Sequence, residues 1–313
     1  MSAPERIPPR GGVKPAEPTE LLAHGELAVL GRIGGASNAV LYGSVGGAGG
    51  ESVPCVYKPV AGERPLWDFP DGTLAEREVA AYEVCRVLGW DLVPPTVLRD
   101  GPYGEGMCQL WVGPTPDTGA PPPTAADGLL AVVETEEPGP GWKAVGLVAV
   151  PAEEPDGASA DGDGDGGRTE GEADEHFPGE RTALLVHADD ARLRRVAVLD
   201  AVINNADRKG GHLLPLPDGR LYAIDHGVTF HTDDKLRTLL WGWAGEELPA
   251  ALLEPLRELA AALIEGGPLA ARLAGLLTSA EVAGLRRRTG ALLAAGRHPA
   301  PGGEWPAIPW PPV

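Results

Sequence analysis

The stretch NNADRKGGHLLPLPDGRLYAIDHG, residues 204–227, decides the reading of this chain. It follows ARLRRVAVLDAVIN (191–204), where Leu193, Val196, Leu199 and Val202 recur on one face at helical spacing. A polar, glycine-bearing loop then carries Asp207, Arg208 and, five residues after the aspartate, His212. The turn Pro217-Asp218-Gly219 reverses the chain, and RLYAI runs as a strand into Asp225. The pattern predicts a hairpin with polar groups at both ends, at the mouth of a cleft. Two carboxylates and an imidazole in that position have the chemistry to hold a divalent cation and activate a hydroxyl.

Upstream, TELLAHGELAVLGRIG (19–34) reads as a short helix leading into a strand. AVLYGSV (39–45) and PCVYKPV (54–60) read as two strands joined by the glycine-rich GGAGGES, a hairpin signature. Lys58 ends the second strand. From Thr73 to Leu88 the period turns helical, with Leu74, Val79, Tyr82, Val84, Val87 and Leu88 among Glu and Arg. Glu78 lies on that helix, and a lysine buried at a strand end requires such an acid as partner. WDLVPPTVL (90–98) and MCQLWV (107–112) read as further strands. Each element alone is weak. Their order is a glycine-rich hairpin, strand lysine, helix glutamate, hinge-like strand, polar loop and a strand into aspartate. That is the order in which kinases arrange the groups that hold ATP and Mg²⁺.

Specific motifs sharpen this. VYKPVAGERP followed by EREVAAYEVCRVLGWDLVPPT resembles the type II phosphatidylinositol 4-kinases and their bacterial relatives. Those families place a K-P pair on the ATP-binding strand and an E-x-x-A-Y helix before a V-P-x-T strand. NNADRKGGHLL resembles the N-x-D-R-x-x-x-N loop of that family and of HipA-type toxin kinases. AIDHGVTF resembles their I-D-[NH]-G segment. The likeness covers about 30–112 and 190–243, and extends to uncharacterised PI3/PI4-kinase-like proteins of high-GC bacteria. It implies an α+β, bilobal protein-kinase-like fold with a β-rich N-lobe bearing one helix and a mainly helical C-lobe.

Carried over by position, the resemblance implies that Lys58 contacts the α/β-phosphates and is positioned by Glu78. Ser37 and Asn38 lie over the phosphates, and Gln109, Leu110, Trp111 and Val112 form the adenine hinge. Asp207 orients or deprotonates the attacking hydroxyl. Arg208 neutralises phosphates or braces the loop, and Asp225 binds the metal, Mg²⁺ or Mn²⁺. His212 departs from the family, which puts asparagine there. It either ligates a metal such as Mn²⁺, which suits imidazole better than Mg²⁺ does, or sits beside the metal through water, or is a structural substitute. Two functions follow: an ATP-dependent phosphotransferase acting on a lipid, protein or small-molecule hydroxyl, or a catalytically weak nucleotide-binding pseudokinase or scaffold. In the second, the Pro- and Asp-rich insertion serves as the arm that binds a partner protein.

Bulk properties bound the rest. The chain has 313 residues, 45 acids against 26 Lys and Arg, and a formal net charge of −19. Nucleic acid is excluded as main partner, since phosphate neutralisation needs clustered cations. No apolar run approaches the ~20 residues of a membrane span. The N-terminal MSAPERIPPRGGVKPAEP lacks the apolar core of a signal peptide. Cys55, Cys85 and Cys108 sit among apolar neighbours without metal-like spacing, as buried thiols in a reducing, cytoplasmic setting. The expected organisation is a disordered arm at 1–18, an N-lobe at 19–112, a largely disordered Pro-rich and acidic insertion at 113–185, and a C-lobe at 186–313. Ala152 to Glu180 alone holds eleven acids and one arginine, a composition that favours disorder. Within it Asp161, Asp163, Asp165, Gly166 and Glu172 match calcium-loop spacing, but flanking amphipathic helices are missing. GLLAVVETEE and WKAVGLVAVP read as a helix or a strand pair. Trp241 and Trp243 read as core in preference to a membrane interface, and the two-Trp tail GGEWPAIPWPPV as docked in a groove.

Overall fold

Local signals set the first half of the molecule. In the computed structural model, which describes residues 18–34, 38–69, 72–118, 123–125, 128–151, 180–302 and 306–311, a short helix α1 (Pro18–His24) precedes five strands. These are β1 (Glu26–Arg32), β2 (Leu41–Gly46), β3 (Ser52–Pro59), β4 (Thr96–Gly101) and β5 (Gly104–Leu110). They form one antiparallel sheet in the order β1-β2-β3-β5-β4. Between β3 and β4 runs α2 (Leu74–Leu88). Thr73 caps it: its hydroxyl accepts from the Glu76 N–H, and the Glu76 carboxylate accepts from the Thr73 N–H. Gly89, at φ +66°, closes the helix in the left-handed conformation that glycine adopts without steric cost.

Helix α2 is buried on two sides, and this fixes Glu78 between the lobes. Ala75 and Val79 pack on Met107 of β5. Ala80, Ala81, Val84, Cys85 and Leu88 instead join the main core with the helices that follow. These are α3 (Ala191–Ile203), α4 (Ala250–Ala262), α5 (Pro268–Leu273) and α6 (Ser279–Ala295). The run from Leu269 to Leu293, helical throughout in pattern, is two helices. The chain leaves α5 near Gly275, and Thr278 restarts it with a second capping box to Glu281. The result is the α+β, bilobal, protein-kinase-like arrangement expected: a β-rich lobe with one helix, and a mainly helical lobe.

Within 113–185, the stretches read as a helix or a strand pair are strands, though they pair with a third strand and not with each other. GLLAVV and WKAVGLVAVP are strands, β6 (Leu130–Val133) and β7 (Trp142–Pro151), and both pair with β8 (Glu180–Ala188) in the order β6-β8-β7. Leu129, Leu130, Val148 and Leu185 are buried in the main core, and that burial offsets the ordering cost. The acidic tract, with its calcium-like spacing, falls at 152–179, outside the described residues; so does the arm up to residue 17.

Trp241 and Trp243 are 7% and 0% exposed and belong to the core, not to a membrane interface. The tail docks through Ala307, whose carbonyl accepts from Trp241 Nε1, and through Ile308 against the core. Of the two tail tryptophans expected to dock, Trp310 is 64% exposed, and Trp305 lies outside the described residues. The three cysteines are free and buried. Among the described residues no helix is long and apolar enough to cross a membrane.

Candidate active site

Lys58 sits one residue before the end of β3, opposite Met107 of β5. Its Nζ donates to Glu78 Oε1 at 2.7 Å and to Asp225 Oδ1 at 2.8 Å. The other Glu78 oxygen, Oε2, accepts from the His226 N–H at 2.9 Å. A single buried carboxylate on α2 therefore locates both the strand lysine and the backbone beside Asp225. Burial alone pushes the Lys58 amine toward neutrality, but the Asp225 and Glu78 charges overcome it and hold the ammonium form. The Lys58 charge in turn holds the Asp225 carboxyl well below the usual range. Burial raises Glu78 against the same lysine's pull. Asp225 is half-exposed and has φ +61°, a conformation costly for a side chain other than glycine and concentrated at functional sites.

The catalytic-type loop follows α3, whose last residue gives way to Asn204 at φ +55°. The Asn204 amide donates to the carbonyls of His231 and Asp233, and its oxygen accepts from the Lys235 N–H. Asn205 Oδ1 accepts from the Asp207 N–H at 3.0 Å while its Nδ2 donates to Asp200. The Asp207 carboxylate faces Lys209 Nζ at 3.1 Å.

Arg208 is fully buried, with its nitrogens turned to protein groups. Its Nε and Nη2 donate to Asp200, its Nη1 to the Ile224 carbonyl at 2.9 Å, and Nη2 lies 2.7 Å from His226 Nε2. Arg208 braces the loop against the Asp225 strand, the second of its two expected roles. Because His226 Nε2 accepts from a guanidinium, the ring hydrogen is on Nδ1, which faces Glu78 Oε2 at 3.9 Å. Burial keeps this ring neutral, with its pKa pushed well down.

His212 Nε2 is 3.4 Å from Asp225 Oδ2. The Lys209 N–H makes a long 3.5 Å approach to Nδ1, which places the hydrogen on Nε2, toward the carboxylate. Burial lowers the pKa of this ring too.

Asn38, Lys58, Glu78, Asp207 and Asp225 line one cleft of about 110 Å³ between the lobes, together with Glu63 and Val228. Asn38 Oδ1 holds the Arg64 N–H, and Glu63 accepts from the first two N–H groups of α2, at Leu74 and Ala75. Ser37 lies outside the described residues. Gln109 to Val112 are at the far end of β5, apart from this lining. Gln109 is 4% exposed and donates to Thr96, while the Leu110 and Trp111 N–H groups are taken by the Pro95 and Pro54 carbonyls.

Sequence reasoning missed Asp200, Lys209, His226 and Glu63. Asp200 had a signal: it is an acid amid the apolar residues of a helix, a position that demands a buried cation.

These positions define the class: a two-lobed, kinase-like protein with a lysine, a helix glutamate and two aspartates at the cleft. No family model matches the chain. It belongs to the family of Protein Rv2133c of Mycobacterium tuberculosis (strain ATCC 25618 / H37Rv), with which it is 47% identical over 291 residues, 93% of this chain and 94% of that protein. Two solved structures are similar at low identity. Hydra Fam20 with sugar matches at 14% identity and TM-score 0.45, covering 88% of this chain and 86% of that one. The Golgi casein kinase with Mn/ADP bound matches at 13% and 0.48, covering 88% and 74%. Likeness at that level leaves the chemistry to be argued from this chain's own residues.

Proposed function

We propose that the chain is an ATP- and divalent-metal-dependent phosphotransferase acting on a hydroxyl. The observation that carries this is Lys58 shared between Glu78, which is buried, and Asp225, which is half-exposed in the cleft. A structural ion pair needs one acid. A lysine with a second, solvent-facing carboxylate has a partner it can exchange for phosphate. In this reading Glu78 keeps Lys58 in place while the nucleotide phosphates replace Asp225 on its ammonium. Asp225 would then hold a metal, and a hard cation there would supply charge neutralisation for the transferring phosphate. The donors fit: the Asp207 and Asp225 carboxylates line the cleft, and Mg²⁺ or Mn²⁺ takes one or two carboxylates with phosphates and water completing its shell. His212, with Nε2–H toward Asp225, positions that carboxylate. Asp207 accepts the acceptor hydroxyl's hydrogen bond and takes its proton as the new O–P bond forms and the β–γ bridge breaks, leaving ADP. Lys209, beside Asp207, offsets charge on the transferring group.

The motifs at 56–96 and 204–227 support the finer reading as a PI3/PI4-kinase-like enzyme. For the acceptor we favour a protein or small-molecule hydroxyl over a lipid. Lys235 is 5% exposed and paired with Asp68, and the chain after Asp225 presents Asp233, Asp234, Glu246 and Glu247, a poor surface for an anionic headgroup. The test is ATP binding by thermal shift with Mg²⁺ or Mn²⁺, alongside transfer from labelled ATP. Lys58→Ala and Asp225→Ala lose the metal-dependent shift; Asp207→Ala keeps the shift and loses transfer. Binding without transfer by the wild type, under either metal, makes the chain the nucleotide-binding scaffold that His212 in an asparagine's place also fits. Absence of any shift overturns both.

A further inference from the structure

A second cavity is larger than the interlobe cleft. It measures about 550 Å³ against about 110 Å³ for the interlobe cleft, within the ~300–1,000 Å³ of small-molecule sites. It opens beside Asn204, at the head of the Asp207 loop, between the end of α3, the chain at 234–241, α6 and residues 297–302.

Much of its wall is apolar: Ala201, Leu236, Trp241, Leu292, Ala295 and Pro299. Trp241 already donates its Nε1–H to Ala307, so its ring offers carbon to the cavity. The charged lining groups are Arg288, Arg297 and Asp234. His298 also lines it, held neutral at pH 7 by burial, which pushes its pKa to about 4. Arg297 is satisfied by Glu247 at 3.0 Å and the Gly245 carbonyl, and Asp234 is exposed at the rim.

Arg288 is the exception. Its Nε and Nη1 donate to the Val202 and His231 carbonyls at 3.0 and 3.1 Å. Its Nη2 is buried without a hydrogen-bond partner among the described residues. The two most deeply buried arginines each have an acid, Arg77 with Glu281 at 2.5 Å and Arg208 with Asp200 at 3.0 Å. Arg288 makes no ion pair among the described residues, in a chain with 45 acids and 26 Lys and Arg. Asp234 and Glu281 act on it only through space, and a guanidinium nitrogen kept from water with no acceptor favours an anion beside it.

We propose that this cavity binds an organic carboxylate with an apolar body, its charge toward Arg288 and its body against Trp241, Leu236 and Leu292. The site shares no residue with the interlobe cleft, so the proposal stands or fails apart from the phosphotransferase reading.

Titration calorimetry on the full chain tests it with three probes. Octanoate carries charge and body, octanamide the body alone, and acetate the charge alone. Octanoate is expected to bind saturably at one site, and the other two more weakly by about tenfold or more. Arg288→Met is expected to bring octanoate down to the octanamide level. Since Arg288 also holds two carbonyls, Ala291→Phe gives an independent arm. Ala291 is exposed on the α6 wall of the cavity, so a ring there fills the space without entering the core. Octanoate binding is expected to be lost with the melting temperature and MgATP shift retained. Equal affinity for octanoate and octanamide, undiminished binding in Ala291→Phe, or no octanoate binding overturns the proposal.

Discussion

Two ionic networks meet beneath the cleft and differ in how far they can change. In one, Lys58 is shared by Glu78 and Asp225, with side-chain exposures of 20%, 2% and 50%. In the other, Arg208 and Asp200 are both fully buried, and every guanidinium nitrogen has a neighbour within hydrogen-bond distance. His226 joins them, its ring to Arg208 and its N–H to Glu78. A buried pair with every donor committed is scaffolding, because opening it strands a charge away from water. A lysine with one buried and one half-exposed partner keeps its position while trading the outer partner. The fixed network holds the Asp207 loop and the Asp225 strand in register; in the proposed function the other is where the nucleotide's charge enters.

The largest effect belongs to the fixed network. Arg208→Met leaves Asp200 buried without its cation and is expected to cost ~3–5 kcal/mol, read by urea unfolding. Asp200→Leu combined with Arg208→Met removes both charges and is expected to recover a good part of that loss. A single-variant cost of only ~0.5 kcal/mol, the range of surface substitutions, breaks the contrast. Lys58→Met sharpens it from the other side. Glu78, already raised by burial, takes up a proton, so the fold loses only ~1–2 kcal/mol, while phosphoryl transfer falls by about 10²–10³. Equal damage to stability from the two variants would remove the distinction.

A pH series reads the buried histidines, His226 of the networks among them, and a His298 variant isolates one that lies outside. His187 and His298 flank Trp243, with ring centroids at 4.2 and 5.9 Å, and burial lowers each to about 4. As pH falls below the unfolded value of about 6.5, the unfolded chain takes up protons that the folded chain refuses. Stability is therefore complete above that pH and declines toward about 4, by roughly 1–3 kcal/mol per histidine. Asp225 stays ionised through the window because Lys58 holds its carboxyl low. Unfolding free energies at about pH 7 and about pH 4.5, with His298→Gln flattening the slope, check this; an unchanged slope removes His298 as a cause.

What could be read without coordinates was what is local or ordered along the chain. The Thr73 and Glu76 capping box and Gly89 frame α2 within a residue of its expected limits. Lys58, Glu78, Asp207 and Asp225 were legible from their succession, and the structure gathers them in one cleft. Arg208 was ambiguous because guanidinium suits phosphate and carboxylate alike; only burial beside Asp200 decides. The β6-β8-β7 sheet was hidden because β7 and β8 are separated by the 28 residues 152–179, and an acidic tract drowns the alternation of the strands beside it. The break between α5 and α6 has little local signal, because leucines continue across Gly275. The large cavity has no local pattern, being assembled from residues 201 to 302.

The smallest expected effect is the most direct probe of exchange. Asp225→Asn keeps the size of the side chain but removes the charge that holds Lys58 from outside. Metal-dependent nucleotide binding is expected to be lost, since a neutral amide oxygen lacks the charge with which the carboxylate holds a cation. Metal-free ADP, however, is expected to bind the variant about tenfold more tightly than it binds the wild type, equivalent to ~1.4 kcal/mol. Two costs disappear: ADP no longer has to pull Lys58 from a carboxylate, and its phosphates no longer face an anion across the cleft. Glu78 still positions the lysine through Oε1, so the phosphate site is intact. Calorimetry with ADP and a chelator measures it. Weaker metal-free binding in Asp225→Asn means that Asp225 shapes the site rather than occupying the phosphates' place, and the cleft network is then as fixed as the one beneath it.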